Sequence, residues 1–290
     1  MLPRILLASS MVSALLLLVL AAAYFATGSK LALAQAVDSF SDVLTGLALF
    51  WVWRLSLKPA DANHHYGHQT AQPIAALVMA TLVGVMALEV LWNAVEALFS
   101  GSHVELTWIV AAGLGAKVCA KVVLVLIARR RNVRTPQPAL QAFVVDARSD
   151  ILVGTLSLLG YFASVEFDRP SLDAWLAIPA AGWVGYSALS LARANVDLLM
   201  GAAPPQTWRD TQIERLTKLA AVRRVGRMKA RTFSDGIHLW VEIYVDPALT
   251  ISAAHDIGEF VEAELRREPE VCDAVVHVDA DLAERREARP

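Results

Sequence analysis

Apolar residues in this chain come in long blocks, not at the short intervals of a soluble helix or strand. Six blocks are long enough to cross a bilayer, roughly 5–27, 32–57, 71–99, 106–128, 138–164 and 172–200, because about 20 apolar residues span the hydrocarbon core. The run Ile5–Ala26 is longer than the apolar core of a signal peptide, so it is read as a retained first span despite Arg4 and the small residues Ala21-Ala22-Ala23. The pattern changes at Ala203-Pro204-Pro205, where proline halts the sixth block. Beyond it, Thr211–Ala221 reads as a helix and Val225–Phe233 as a strand, followed by a turn at Ser234-Asp235-Gly236. Ile237–Asp246 alternates: Ile237, Leu239, Val241, Ile243 and Val245 on one face, His238, Trp240, Glu242, Tyr244 and Asp246 on the other. That is a half-buried strand. Ile251–Arg267 reads as an amphipathic helix and Ala274–Asp279 as a last strand. The expected architecture is an all-α, six-helix membrane domain (1–205) followed by a small α+β domain of order αββαβ (206–290), compatible with a ferredoxin-like, metallochaperone-like sandwich.

Composition agrees with this division. Of 290 residues, 56% are hydrophobic, and the mean hydropathy is +0.46. A net charge of −2 without a broad basic surface gives no reason to expect a nucleic-acid partner. Cys119 and Cys272 lie far apart and form neither a metal-ligand spacing nor a disulfide framework. The basic residues do report orientation. Arg54 and Lys58 flank the loop after the second block, and Arg129, Arg130, Arg131 and Arg134 crowd the loop after the fourth. On the other side, Lys30 and Arg169 are diluted by Glu105, Glu166, Asp168 and Asp173. The positive-inside rule then puts both termini and both basic loops in the cytoplasm of a multi-pass inner-membrane protein.

Against this background the charges inside the blocks stand out. Asp38 and Asp42 are four apart in the second block, and Asp146 and Asp150 repeat that spacing in the fifth. At 1.5 Å per residue, Asp42 lies about 16 Å and Asp150 about 18 Å from the end at which each block enters the membrane, near the midplane of a ~30 Å core. Carboxylates there are costly and mark a pathway or site, here one for a metal or a proton. Asp61, His64 and His68 follow the second block at spacings of three and four; on a helical turn their ligand atoms can converge on one cation of the Zn²⁺ or Fe²⁺ kind, the alternative being a solvated His-rich loop. The fourth block carries Lys117 and Lys121 on one face. Lys121, about 12 Å from Arg129, is close enough to the cytoplasmic interface to snorkel. Lys117, about 18 Å deep, either faces the bundle and pairs with Glu89 or one of the intramembrane Asp residues, or packs at the interface after helix tilt. Glu89, Asn93 and Glu96 form a polar stripe, read as helix packing or a wet vestibule.

Taken together, acidic pairs in the second and fifth of six blocks, with Asp-x-x-His-x-x-x-His after the second, resemble the cation diffusion facilitators, and the tail fits the same family. The resemblance implies a homodimeric exporter of divalent metal driven by proton counterflow, which is not an enzyme and carries no prosthetic group. It implies a transport site of Asp38, Asp42, Asp146 and Asp150 and a cytoplasm-facing access site of Asp61, His64 and His68. It also implies tail ligands at Glu242, His255, His277 and Asp279, with Gly226 standing where some zinc-moving members have His. Many zinc-moving members place a His at the first position of one intramembrane pair, whereas all four positions here are Asp. An all-oxygen set suits Mn²⁺ or Fe²⁺ better than Zn²⁺ or Cd²⁺, and Gln72-Pro73 looks like the manganese-type members. The loop histidines look like zinc and iron members, so Zn²⁺, Co²⁺ and Cd²⁺ stay open. Thr70 and Met200 stand where some members carry a Lys–Asp interlock between protomers. The rival reading is a non-transporting membrane sensor or assembly protein that reads metal through its tail.

Overall fold

The six predicted apolar blocks become helices in the computed structural model, which describes residues 2–27, 30–100, 108–130, 138–166 and 171–281. They are α1 (Leu2–Thr27), α2 (Lys30–Ser56), α3 (Ala71–Ser100), α4 (Trp108–Arg130), α5 (Pro138–Glu166) and α6 (Ser171–Met200). Five of them, α1–α4 and α6, contain stretches apolar enough to cross a membrane by length and composition. In α5 the charges Asp146, Arg148 and Asp150 interrupt the run. Arg131, Arg134, Glu105, Asp168 and Arg169, used for orientation, lie outside the described residues. The chain divides into two compact units, Met1–Val196 and Asp197–Pro290.

Inside the first unit the helices meet through small side chains. Ala76 and Ala80 of α3 pack with Ala139, Ala142 and Ala147 of α5, Leu6 of α1, Leu49 of α2, Val125 of α4 and Leu191 of α6. Small residues let helix backbones approach where lipid gives no hydrophobic drive to associate. The large apolar side chains point outward instead: Leu15, Leu18, Trp51, Leu88, Trp92 and Trp183 are exposed. In water such a surface would aggregate, and in a bilayer it is solvated by acyl chains. Two glycines mark the closest approaches. A methyl group on Gly46 of α2 would collide with Ser10 Oγ of α1, and one on Gly154 of α5 would lie 2.8 Å from Val118 Cγ2 of α4.

The second unit is the αββαβ domain: α7 (Gln206–Thr217), β1 (Arg224–Thr232), β2 (Ile237–Val245), α8 (Ile251–Arg266) and β3 (Val271–Ala280). β2 is central, antiparallel to β1 and parallel to β3. Its predicted alternation holds, with Ile237, Leu239, Val241, Ile243 and Val245 all buried. α8 covers that face with Val261 and Leu265, and Thr250 caps it by accepting the Ala253 N–H at 3.2 Å. Two elements of this unit differ from the sequence reading by more than one residue. α7 begins at Gln206 rather than Thr211, because Pro205, extended at φ −51° and ψ 143°, is preset to precede a helix; it ends at Thr217 where successive turns at Lys218, Leu219 and Val222 take over. β3 begins at Val271 rather than Ala274, because Val271 is in register with Ile237 at the start of β2.

Candidate metal centre

Residues four apart share a helix face. That spacing recurs three times at one level of the bundle: Asp38 and Asp42 on α2, Asp146 and Asp150 on α5, Lys117 and Lys121 on α4. The three faces meet. Lys117 Nζ hydrogen-bonds Asp38 Oδ2 and lies 2.9 Å from Asp42 Oδ2. Lys121 Nζ lies 2.6 Å from Asp150 Oδ2, 3.2 Å from Asp42 Oδ1 and 3.4 Å from Asp146 Oδ2. Asp42 Oδ2 and Asp150 Oδ2 are buried without a hydrogen bond of good geometry. Their short approaches to the ammonium nitrogens, 2.9 Å to Lys117 and 2.6 Å to Lys121, are ion pairs.

Asp42, Asp146 and Asp150 each present an oxygen, and these oxygens lie within 4.8 Å of one another, a spacing a single cation can bridge. Asp38 does not belong to that group. It joins the cluster through Lys117, so the structure brings together three of the four expected carboxylates rather than four. The Lys117 expectation is met in one of its two forms, since its partners are Asp38 and Asp42, while Glu89 is exposed on α3. The Lys121 expectation is wrong. Its side chain does not snorkel; the residue is 4% exposed and points into the acidic cluster. Depth along a helix sets how far a side chain must reach, but its direction around the axis decides where it goes, and α4 turns this face toward α2 and α5. The four-residue spacing shared by the lysines and both Asp pairs was the signal that could have found it. The stripe Glu89, Asn93 and Glu96 is exposed on α3.

The access-site residues also converge, but not on a helical turn. Asp61 Oδ1 accepts the N–H groups of Asn63 at 2.9 Å and His64 at 2.8 Å. This Asx turn replaces the helix. Gly67, at φ 81°, adopts the left-handed conformation that brings His68 back. His64 Nδ1 and His68 Nε2 each lie 3.4 Å from an Asp61 oxygen, and the two rings are 4.5 Å apart. Asp61, His64 and His68 thus form a second cluster at cation spacing. The N–H groups of His64 and Asn63 hold the Asp61 carboxyl below the usual carboxylate range.

In the tail the expected ligands divide between two sides of the sheet. Glu242 is in register with His277, and Asp279 follows on the same face of β3. The N–H of Arg227 and the hydroxyl of Tyr244, at 3.2 and 2.9 Å, hold the Glu242 carboxylate below its usual range. His277 stacks on Trp240 at 6.0 Å. His255, by contrast, lies on α8, which covers the opposite face, and pairs with Glu259 at 3.4 Å. Within one protomer the sheet separates His255 from Glu242, His277 and Asp279. Gly226 abuts Glu242: a Cβ there would lie 2.9 Å from its Oε2 and 2.7 Å from Tyr244 Cε2, so a side chain at this position has to displace those of Glu242 and Tyr244.

A bundle of apolar helices enclosing carboxylates at cation spacing, followed by a small α+β domain, defines a multi-pass membrane protein built to handle cations. The chain belongs to the cation efflux family, the cation diffusion facilitators: residues 6–200 match the cation efflux transmembrane domain and residues 206–281 the cation efflux protein cytoplasmic domain. Members of this family are transporters, not enzymes. The chain is 28% identical over 277 residues to the cation-efflux pump FieF of Escherichia fergusonii, covering 95% of this chain and 92% of that protein. It is 27% identical over 274 residues to FieF of Serratia proteamaculans, covering 94% and 91%. A solved structure described as MamM-CTD is 26% identical over 26% of this chain and 96% of its own, with a TM-score of 0.25.

Proposed function

We propose that this chain exports divalent transition-metal cations from the cytoplasm in exchange for protons, as a homodimer in the inner membrane with both termini inside. The observation that carries the reading is the meeting of Asp42, Asp146 and Asp150 at cation spacing inside an apolar bundle of a cation efflux family member. Three carboxylates in a hydrocarbon environment repel one another and cost several kcal/mol unless cations compensate them. The site trades its compensating charge between protons and metal. Alternating access carries it between the two sides, as in transporters that bind near the midplane. The oxygen-only donor set favours Mn²⁺ or Fe²⁺, with Zn²⁺, Co²⁺ and Cd²⁺ open as further substrates. Asp61, His64 and His68 receive the metal on the cytoplasmic side. In the tail, Glu242, His277 and Asp279 form one surface for regulatory metal, and His255 contributes only from a second site. The names of the FieF relatives, cation-efflux pumps, support the direction of transport.

The test is flux in proteoliposomes over a panel of Mn²⁺, Fe²⁺, Zn²⁺, Co²⁺ and Cd²⁺, with and without a proton gradient. The reading expects gradient-dependent uptake with Mn²⁺ or Fe²⁺ fastest. Absence of flux for every metal, with metal still bound by the tail, would replace the transporter by a membrane sensor.

A further inference from the structure

The three carboxylates that can share a cation already share one. Lys121 Nζ lies within 3.4 Å of an oxygen of Asp42, Asp146 and Asp150, the same three residues whose oxygens lie within 4.8 Å of one another. A metal bridging those oxygens needs the space the ammonium nitrogen fills. We infer that Lys121 is a tethered counter-cation that occupies the position of the transported ion, so that ammonium and divalent metal are mutually exclusive occupants of one site. This rests on the reading of Asp42, Asp146 and Asp150 as the transport site, and it adds two residues that set affinity and release. Lys117 does the same one turn away, where it bridges Asp38 and Asp42 and draws Asp38 out of the cluster.

The arrangement has a physical logic. Three facing carboxylates without a counter-ion would be strongly destabilised in a bundle core, and a lysine on a neighbouring helix supplies a charge that does not diffuse away. Metal must pull the carboxylates from the ammonium to bind, which weakens its hold. When metal leaves, the ammonium returns and blocks rebinding. Tight capture is exchanged for release.

The experiment measures metal affinity and turnover separately on the full-length protein. Equilibrium dialysis with Mn²⁺ and Zn²⁺, with a background of Asp61→Ala, His64→Ala and His68→Ala to silence the loop and Glu242→Ala, His255→Ala, His277→Ala and Asp279→Ala to silence the tail, gives the affinity of the buried site. Lys121→Met is expected to bind metal at least about tenfold more tightly, a shift of about 1.4 kcal/mol, because metal no longer has to displace an ammonium, while its maximal flux in proteoliposomes falls. Lys121→Arg keeps the charge and is expected to keep the weak affinity. A well-folded Lys121→Met with unchanged or weaker affinity overturns the inference. A readout on the unsubstituted lysine covers the case in which Lys121→Met does not fold: amine-reactive labelling of Lys121, followed by mass spectrometry, is expected to change several-fold on adding metal, and identical labelling with and without metal overturns it. Asp150→Asn separates the two claims. Lost metal binding in Asp150→Asn together with an unchanged Lys121→Met affinity rejects the tethered cation alone, whereas full binding in Asp150→Asn rejects the transport site and the inference with it.

Discussion

Gly154→Ala tests whether the spacing of α4 and α5 sets the acidic cluster. Gly154 follows Asp150 by one turn of α5, and it faces Val118, which lies between Lys117 and Lys121 on α4. The added methyl would sit 2.8 Å from Val118 Cγ2 and 3.3 Å from Leu114 Cδ1. Carbon atoms pack comfortably at about 3.5–4.0 Å, so the shortfall at Val118 is about 1 Å. Leu114 can adjust, but valine in a helix has one strongly preferred rotamer and cannot swing aside. The helices must separate instead, which stretches the 2.6 Å contact of Lys121 with Asp150. Overpacking of this kind costs about 1–3 kcal/mol. The assay is the SDS-driven unfolding equilibrium of the full-length protein in mixed micelles. Gly154→Ala should lose stability in that range, and adding Val118→Ala should recover most of it, with a coupling of about 1 kcal/mol or more. Wild-type stability in Gly154→Ala, or losses that simply add in the double variant, would refute the close approach of the two helices.

Three further outcomes follow from the tail, the loop and the cluster. Gly226→Ala pushes against Tyr244 and Glu242 and should lower the unfolding midpoint of the tail and break the hydrogen bond that the Arg227 N–H donates to Glu242, read as a loss of protection at the Arg227 amide in hydrogen exchange. Asp61 titrates below the usual carboxylate pKa of about 3.9, so the stabilisation it gives the loop is complete above that value and is lost as pH falls through the lowered one. Protection of the Asn63 and His64 amides should therefore survive at about pH 5 and fade only below the usual carboxylate range, whereas in Asp61→Asn it should not depend on pH. Asp146→His brings an imidazole into an all-oxygen set and should shift the metal ranking toward Zn²⁺; an unchanged ranking in the flux panel would show that this ligand does not set selectivity.

The sequence exposed what depends on one element at a time. The alternation of Ile237 to Val245 fixed which face of β2 is buried before any partner was known, because the pleat has a period of two. The Asp pairs were visible because charge inside a 20-residue apolar block has few reasons to be there. What stayed hidden depends on how elements face each other. Lys121 was placed by its distance along α4, and only the azimuth of that helix against α2 and α5 turns it into the cluster. Asp38 shares a face with Asp42, yet Lys117 holds it outside the group of three. His255 and Glu242 are close in sequence but lie on opposite sides of a sheet whose register the sequence did not reveal. The loop showed its ligands but not its turn, since a side chain accepting two backbone N–H groups leaves the same residue spacing as a helix.

The measurement that bears most directly on the account is the initial rate of metal uptake into proteoliposomes by Asp150→Asn. The substitution keeps the shape of the side chain and removes one charge from the group of Asp42, Asp146 and Asp150. The account predicts uptake at the level of empty liposomes for every metal the wild type moves, in protein that remains folded and inserted. Uptake at the wild-type rate would contradict it and would place the transported cation elsewhere in the chain.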